Sequence, residues 1–253
     1  MTTTEHSGSG DVSRSMELLW GTGERRSRGP KPGLTLDAIV TAAVAVADTD
    51  GLAALSMRRV ASELGVGAMS LYRYIPGKAE LLDLMLDKVV EFDAPSHPAP
   101  EAGWRAALTA VAHGSRRLYH QHPWLLQVDQ ARPLLGPNAL DGLEYALEGL
   151  AGTRLSGREK IHVLVALDGF VTGVTRVEVN SAQAEKRSGV SDADFWKAQE
   201  PLLNRAMNSG RYPQLATLPA DAFDDAGGDI FELGLDRLLD GFTSFIEGPA
   251  TPE

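Results

Sequence analysis

Residues 56–75 read SMRRVASELGVGAMSLYRYI, and the glycine near the middle, Gly65, decides the fold. Ser56 is a good N-cap, because its hydroxyl can accept from an unpaired N–H in the first helical turn. Val60, Ala61 and Leu64 then recur at helical spacing as the inner face of a short helix, and Leu55 is spaced to pack on Val60 as a hydrophobic staple. Gly65 falls where a helix-ending residue of positive φ is wanted. A second short helix is predicted from about Gly67 to Tyr74, stopped by Pro76-Gly77. Short helix, tight glycine turn, short helix is the helix-turn-helix arrangement.

The flanks complete the unit. Upstream, Thr35 can cap a helix whose stripe is Ile39, Val40, Ala43, Val44 and Ala47, ended by Asp50-Gly51. Downstream, a helix from Lys78 to about Phe92 carries Leu81, Leu82, Met85, Leu86 and Val89 on one side. In such a module Leu71 and Ile75 point inward, leaving Gly67, Ala68, Met69 and Tyr72 to face a DNA major groove. Small residues let the backbone approach base edges, Met69 can touch a thymine methyl, and the hydroxyls of Tyr72 and Tyr74 can donate to phosphate oxygens. Lys78 opposes the macrodipole of its own helix, a cost that a nearby phosphate would offset. The competing reading is that Tyr72 and Tyr74 pack the three-helix core, which either could do singly.

Charge is distributed unevenly. The whole chain carries −10, yet residues 21–78 hold eight Lys/Arg against five Asp/Glu, while residues 79–253 hold 15 against 26. The pattern fits a small DNA-facing module on an acidic body, although a solvated surface alone produces some unevenness. Residues 1–33 read as a flexible arm rich in Gly, Ser, Thr and Pro. Its basic end, with Arg28 and Lys31 among its cations, is expected to lie along a phosphate backbone or in a minor groove; the alternative is a solvated tail.

Residues 93–253 show helical periods at about Trp104 to Gln121, Trp124 to Asp129, Asn138 to Gly149, Ser156 to Lys186, Ser191 to Asn208 and Asp229 to Ile246. Pro201 should kink or split the fifth. With no useful strand alternation, the chain reads as all-α, with a three-helix DNA-binding domain at 34–92 and a helical domain at 93–253. Phe231, Leu235, Leu238, Phe242 and Phe245, widened by Ile230, Leu239 and Ile246, exceed one core-facing stripe, and 161–177 is apolar nearly all round. Together they point to a four-helix homodimer interface, with central core helices as the alternative. Trp104, Trp124, Tyr145, Phe170 and Trp196, with Asp168, Arg176 and Glu178 as polar anchors, are candidates for a small-molecule cavity; ordinary core packing competes for each aromatic.

Several classes fall away. There is no cysteine for a disulfide or thiolate site, which permits a reducing cytoplasm. The polar N-terminus lacks the apolar core of a signal peptide, and no stretch is long and apolar enough to span a membrane. No cofactor motif appears, and His120 and His122, two apart, cannot share a metal ion on a helix.

Ser56-Met57-Arg58-Arg59-Val60-Ala61, Leu64-Gly65-Val66, Leu71-Tyr72-Arg73-Tyr74 and Lys78-Ala79-Glu80-Leu81-Leu82 closely resemble the DNA-binding domain of TetR-type transcriptional regulators. The resemblance covers residues 35 to about 92 and implies DNA contacts from Ser56, Arg58, Gly67, Ala68, Met69, Tyr72, Arg73, Tyr74 and Lys78. It also implies a homodimer on a palindromic double-stranded operator and release by a small-molecule effector. FELGLDRLLDGF, from Phe231, is similar to the last dimer helix of the tetracycline-repressor subgroup. VDQARP at 128–133 departs from it, having no histidine where that repressor holds metal-bound drug. A helical enzyme with a vestigial DNA-binding head and an effector-independent DNA-binding protein are the alternatives.

Overall fold

The computed structural model describes residues 5–22, 34–91, 98–99, 102–219 and 229–248. Those residues form ten α-helices and no strand, apart from one isolated bridge between His6 and Asp129. In chain order the helices are α1 Val12–Leu19, α2 Leu36–Asp50, α3 Met57–Glu63, α4 Ala68–Leu71, α5 Lys78–Val89, α6 Trp104–Gln121, α7 Pro137–Gly149, α8 Gly157–Ser188, α9 Asp192–Met207 and α10 Ile230–Glu247.

Local chemistry places the first helices as expected. Thr35 Oγ1 accepts from Ala38 N–H at 3.1 Å and Ser56 Oγ from Arg59 N–H at 3.2 Å. Gly65 takes φ of +65°, so that its N–H reaches the Ser62 carbonyl and Val66 N–H the Ala61 carbonyl, the paired closure of a Schellman turn. Helix α4 is shorter than predicted, ending at Leu71 with Tyr72 to Tyr74 in a turn. Ile39, Val60, Leu71, Ile75, Leu81 and Met85 are fully buried where α2, α3, α4 and α5 meet.

The flexible-arm expectation is corrected for residues 5–22. Helix α1, capped by Asp11, packs on α5, with Leu18 and Leu19 against the head core. A local Gly/Ser-rich composition hid partners that lie some seventy residues further on. The basic end of the arm, with Arg28 and Lys31, lies outside the described residues.

The body centres on α6, which packs on α7, α8 and α10. Leu108, Ala112, Leu167, Val171, Phe231, Leu235 and Leu239 form its core. Gly149 allows α7 to approach α6 closely, since an added Cβ would sit 2.3 Å from Ala107 Cβ. Arg116 lies over the Phe231 ring and pairs with Glu178 and Asp229, so Glu178, expected as a ligand anchor, ties α6 to α8. Pro201 does not split α9. That helix is exposed, so water can serve the Lys197 carbonyl that loses its donor.

Head and body are joined by a 3-10 turn, Pro123–Gln127, whose Trp124 and Leu125 enter the head core. Asp48 of α2 accepts from Trp124 Nε1 at 2.8 Å and lies 2.7 Å from His122 Nδ1. Asp48→Ala leaves the buried Trp124 N–H without a partner. Urea unfolding is expected to show a loss of about 1–3 kcal/mol, against about 0–1 kcal/mol for Asp50→Ala, which removes an exposed pair with Arg59.

Candidate functional site

The helix-turn-helix presents one outward face. Met69 is 77% exposed and Tyr72 47%, while Leu71 between them is fully buried. Gly67 has an ordinary φ of −72°, and a Cβ added there would meet nothing within 4 Å. Neither a positive φ nor internal packing requires a glycine there; it stands at the N-cap of α4, a position glycine suits, and adds no side chain to the outward face.

The cations of this face differ in availability. Arg58 and Arg73 are exposed and make no ion pair among the described residues. Arg59 is held by Asp50 at 2.8 Å and Glu63 at 2.7 Å, both of which raise its pKa. Lys78 Nζ lies 2.8 Å from Glu5 Oε1. Ser56 keeps a hydroxyl proton to donate, since its oxygen is the acceptor in the cap. Tyr74 does not present a free hydroxyl: it donates to the Leu34 carbonyl at 2.9 Å, and the half-buried ring packs on the head core. Of the two tyrosines, Tyr74 thus takes the core role and Tyr72 the outward one.

A cavity of about 530 Å³ opens in the body between the end of α5 and helices α6, α7 and α8. Its wall is mainly apolar, with Val111, Leu118, Leu143, Leu164 and Val171, and its polar groups are Ser115, Arg117, Asn138, Tyr145, Asp168 and Glu91. A second, more polar recess of about 810 Å³ lies beside the 126–130 stretch and shares Asp168, with Tyr119, Thr172 and Arg176 on its wall. Both fall in the size range of small-molecule sites.

Asp168 accepts no hydrogen bond and forms no ion pair among the described residues. Partial desolvation by the cavity wall pushes its carboxyl up from the ordinary value, although the residue as a whole is exposed in the single chain. Tyr119, across the recess, is pushed up by burial first and by Asp168 second.

Of the eight side chains read as candidates for a small-molecule cavity, three reach a cavity wall, Asp168 among them on both. Tyr145 lines the first, its hydroxyl donating to the Pro98 carbonyl at 3.0 Å, and Arg176 lines the second. Trp124 is buried at the head–body joint, Trp104 donates to Glu247 at the surface, Phe170 packs on Phe231 over Gly234, and Trp196 is exposed on α9. The cavity exists because small residues face one another, with Ala112, Gly114, Ala139, Gly142 and Ala146 on its wall. Large aromatics do not mark a space of this kind. Among the described residues no group of three His, Asp or Glu gathers to hold a metal, and no helix is long and apolar enough to cross a membrane.

An outward helix-turn-helix on a head bonded to a cavity-bearing helical body is the arrangement of a DNA-binding transcriptional regulator. The chain belongs to the TetR family: residues 39–85 match the family of bacterial regulatory proteins of tetR type, and residues 97–246 the tetracyclin repressor-like C-terminal domain. The HTH-type transcriptional repressor DrrR1 of Streptomyces coeruleorubidus is 53% identical over 96% of this chain and 90% of its own length. An HTH-type transcriptional regulator of Saccharopolyspora erythraea is 34% identical over 89% and 91%. Among solved structures, Streptomyces coelicolor ActR in complex with actinorhodin superposes with a TM-score of 0.62, at 28% identity over 86% of this chain and 99% of that one.

The Asp168 carboxyl yields a check of the cavity's electrostatics. Its folded-state pKa is raised, so the folded chain binds this proton more readily than the unfolded chain. Its contribution to stability therefore falls as pH climbs from the ordinary carboxylate value through the raised one. Asp168→Asn should raise the melting temperature near neutral pH by no more than about 1 °C, because solvent screens an exposed carboxylate, with the gap closing towards about pH 4. A gap that widens on acidification would contradict the desolvated carboxylate.

Proposed function

We propose that this chain acts as a homodimer that occupies a palindromic operator and leaves it when a small molecule fills the cavity between α5 and α8. The carrying observation is the position of α5. Its first residue, Lys78, adjoins the reading helix, and its C-terminal end reaches Val89, next to Val90 and Glu91 on the cavity wall. A single rigid rod of about 18 Å therefore has one end at each site.

On the DNA side, α4 enters the major groove with Gly67 and Ala68 closest to base edges, and Met69 and Tyr72 reach outward. Ser56, Arg58, Arg73, Lys78 and Tyr72 meet phosphates, with Arg28 and Lys31 from the basic stretch adding further charge. Tyr74 supports this face by fixing Leu34. One short helix reads few base pairs, so selectivity requires a second head about one or more turns of DNA away. Support for pairing comes from α8 and α10. Their inner rows are buried, yet Val165 is 64%, Ile230 64% and Leu233 67% exposed in the single chain, an apolar surface that a symmetric four-helix contact covers.

On the effector side, a mainly apolar cavity with an unpaired carboxylate on its wall favours a largely apolar molecule bearing a protonated amine near Asp168. That ActR is solved with actinorhodin supports a small-molecule occupant in this region of the fold. The ligand releases DNA by binding more tightly to a state in which α5 has carried the heads off their groove spacing. A soluble regulator of this kind works in the cytoplasm.

Selection of bound duplexes from random DNA is expected to return an inverted repeat. Tyr72→Ala should then weaken binding to it about tenfold, near 1.4 kcal/mol, while sedimentation still reports a dimer. Unchanged affinity would remove α4 from the groove, and a monomer in sedimentation would remove the palindrome.

A further inference from the structure

The segment ahead of the family-matched region, residues 5–19, is fastened to α5 at several points. Gly8 N–H donates to Asp83 Oδ1 at 2.9 Å, Ser15 Oγ to Asp83 Oδ2 at 2.7 Å, and Asp11 N–H to Glu80 Oε1 at 2.9 Å. Asp83, Glu80 and Ser15 are all buried. At its leading end the segment is also pinned to the body, where Ser7 N–H reaches the Asp129 carbonyl at 3.0 Å and Asp129 N–H the Glu5 carbonyl at 2.9 Å. The backbone of Glu5 is thereby fixed, and its carboxylate falls on Lys78 at 2.8 Å.

We infer that residues 5–19 form an intramolecular latch whose Glu5 occupies Lys78 in place of a DNA phosphate and so lowers the affinity of the head for DNA. The inference rests on the proposed DNA contact of Lys78. It adds a competitor that must yield on binding and whose anchor, Asp129, sits on the wall of the polar recess. Movement of the 126–130 stretch thus bears on the latch directly, and α5 need not be the sole link between body and head.

The attraction is a charge pair at a half-exposed site, so its influence should be largest at low salt and fade as ionic strength rises.

Glu5→Gln in the full-length chain removes the charge without a packing change. Against the selected duplex and an unrelated duplex of the same length, it should bind about three- to tenfold tighter at low salt, with the gain shrinking as salt is added. Gly10→Ala, whose Cβ would lie 2.3 Å from Glu80 Oε1, should loosen the docked segment and shift affinity in the same direction. Glu17→Gln removes an equal charge from an exposed position of α1 paired with Arg14, and should change nothing. In a Lys78→Gln background the effect of Glu5→Gln should disappear. Wild-type affinity for Glu5→Gln, an equal gain from Glu17→Gln, or a gain that survives loss of Lys78 each overturns the latch while leaving DNA binding intact. Failure of the wild-type chain to bind either duplex overturns both.

Discussion

A buried carboxylate has to be hydrogen-bonded, and α5 buries three on one stripe. Glu80, Asp83 and Asp87 stand at intervals of three and four residues, so they share a face of the helix. Each left without donors in the interior would be severely penalised. The donors come from separate parts of the chain: Asp11 for Glu80; Ser7, Gly8 and Ser15 for Asp83; Asn138 and Ala139 for Asp87. The position of the N-terminal segment and the start of α7 are therefore both dictated by α5. Asp87 acts as a cap for a helix it does not belong to. The N-cap of helix α7 is Gly136, which has no side chain to offer, and the Asp87 carboxylate accepts from two of the helix's free N–H groups. Gly136 is small for the same reason, since a Cβ would lie 2.3 Å from Asp87 Oδ1. Burial pushes the Asp87 carboxyl up, and the two backbone donors pull it part of the way back.

This arrangement makes α5 a stiff member between two bodies. Polar bonds tie its N-terminal half to the latch and its C-terminal half to α7, which forms a wall of the cavity. A parallel tie runs through Asp48, Trp124 and His122. Hydrogen bonds of this kind are directional, so a displacement of α7 is passed on as a change of angle at α5 and is not absorbed in soft apolar contacts. On the proposed function, that is what lets an occupant of the cavity alter the presentation of α4 without touching it.

The head was legible because its signals are local. Thr35, Ser56, Gly65 and Pro76-Gly77 each act within four residues, through caps and φ, and the helix boundaries follow. The latch was hidden because its signals are distant: Glu80 and Asp83 look like a solvated acidic face until Gly8, Asp11 and Ser15 are known to reach them. The cavity was hidden for a different reason. Large aromatics announce burial but not which space they fill, and Trp124 went to the joint because its indole N–H found Asp48. What opens the cavity is missing volume at Gly142 and its alanine neighbours, and missing volume leaves no periodic trace.

The acidity of the chain then bears on how it can hold DNA at all. Within the described head, Arg59 is neutralised by Asp50 and Glu63, and Lys78 by Glu5, which leaves Arg58 and Arg73 as its unpaired arginines on the reading unit. Each neutralised phosphate adds to affinity through counterion release, so on the proposed function the two free arginines of the described head hold DNA weakly by themselves and need the charge of the basic stretch beside them. On the proposed function, pairing through the exposed rows of α8 and α10 makes the second head's contact effectively intramolecular, and the combined affinity rises far more than the contacts alone would give. The same pairing makes binding sensitive to small changes in the separation of the heads, because the gain is lost once both cannot reach the groove together. A weak head is in this sense a condition for control: had each α4 unit enough free charge to hold DNA alone, no movement of α5 within the body would release it.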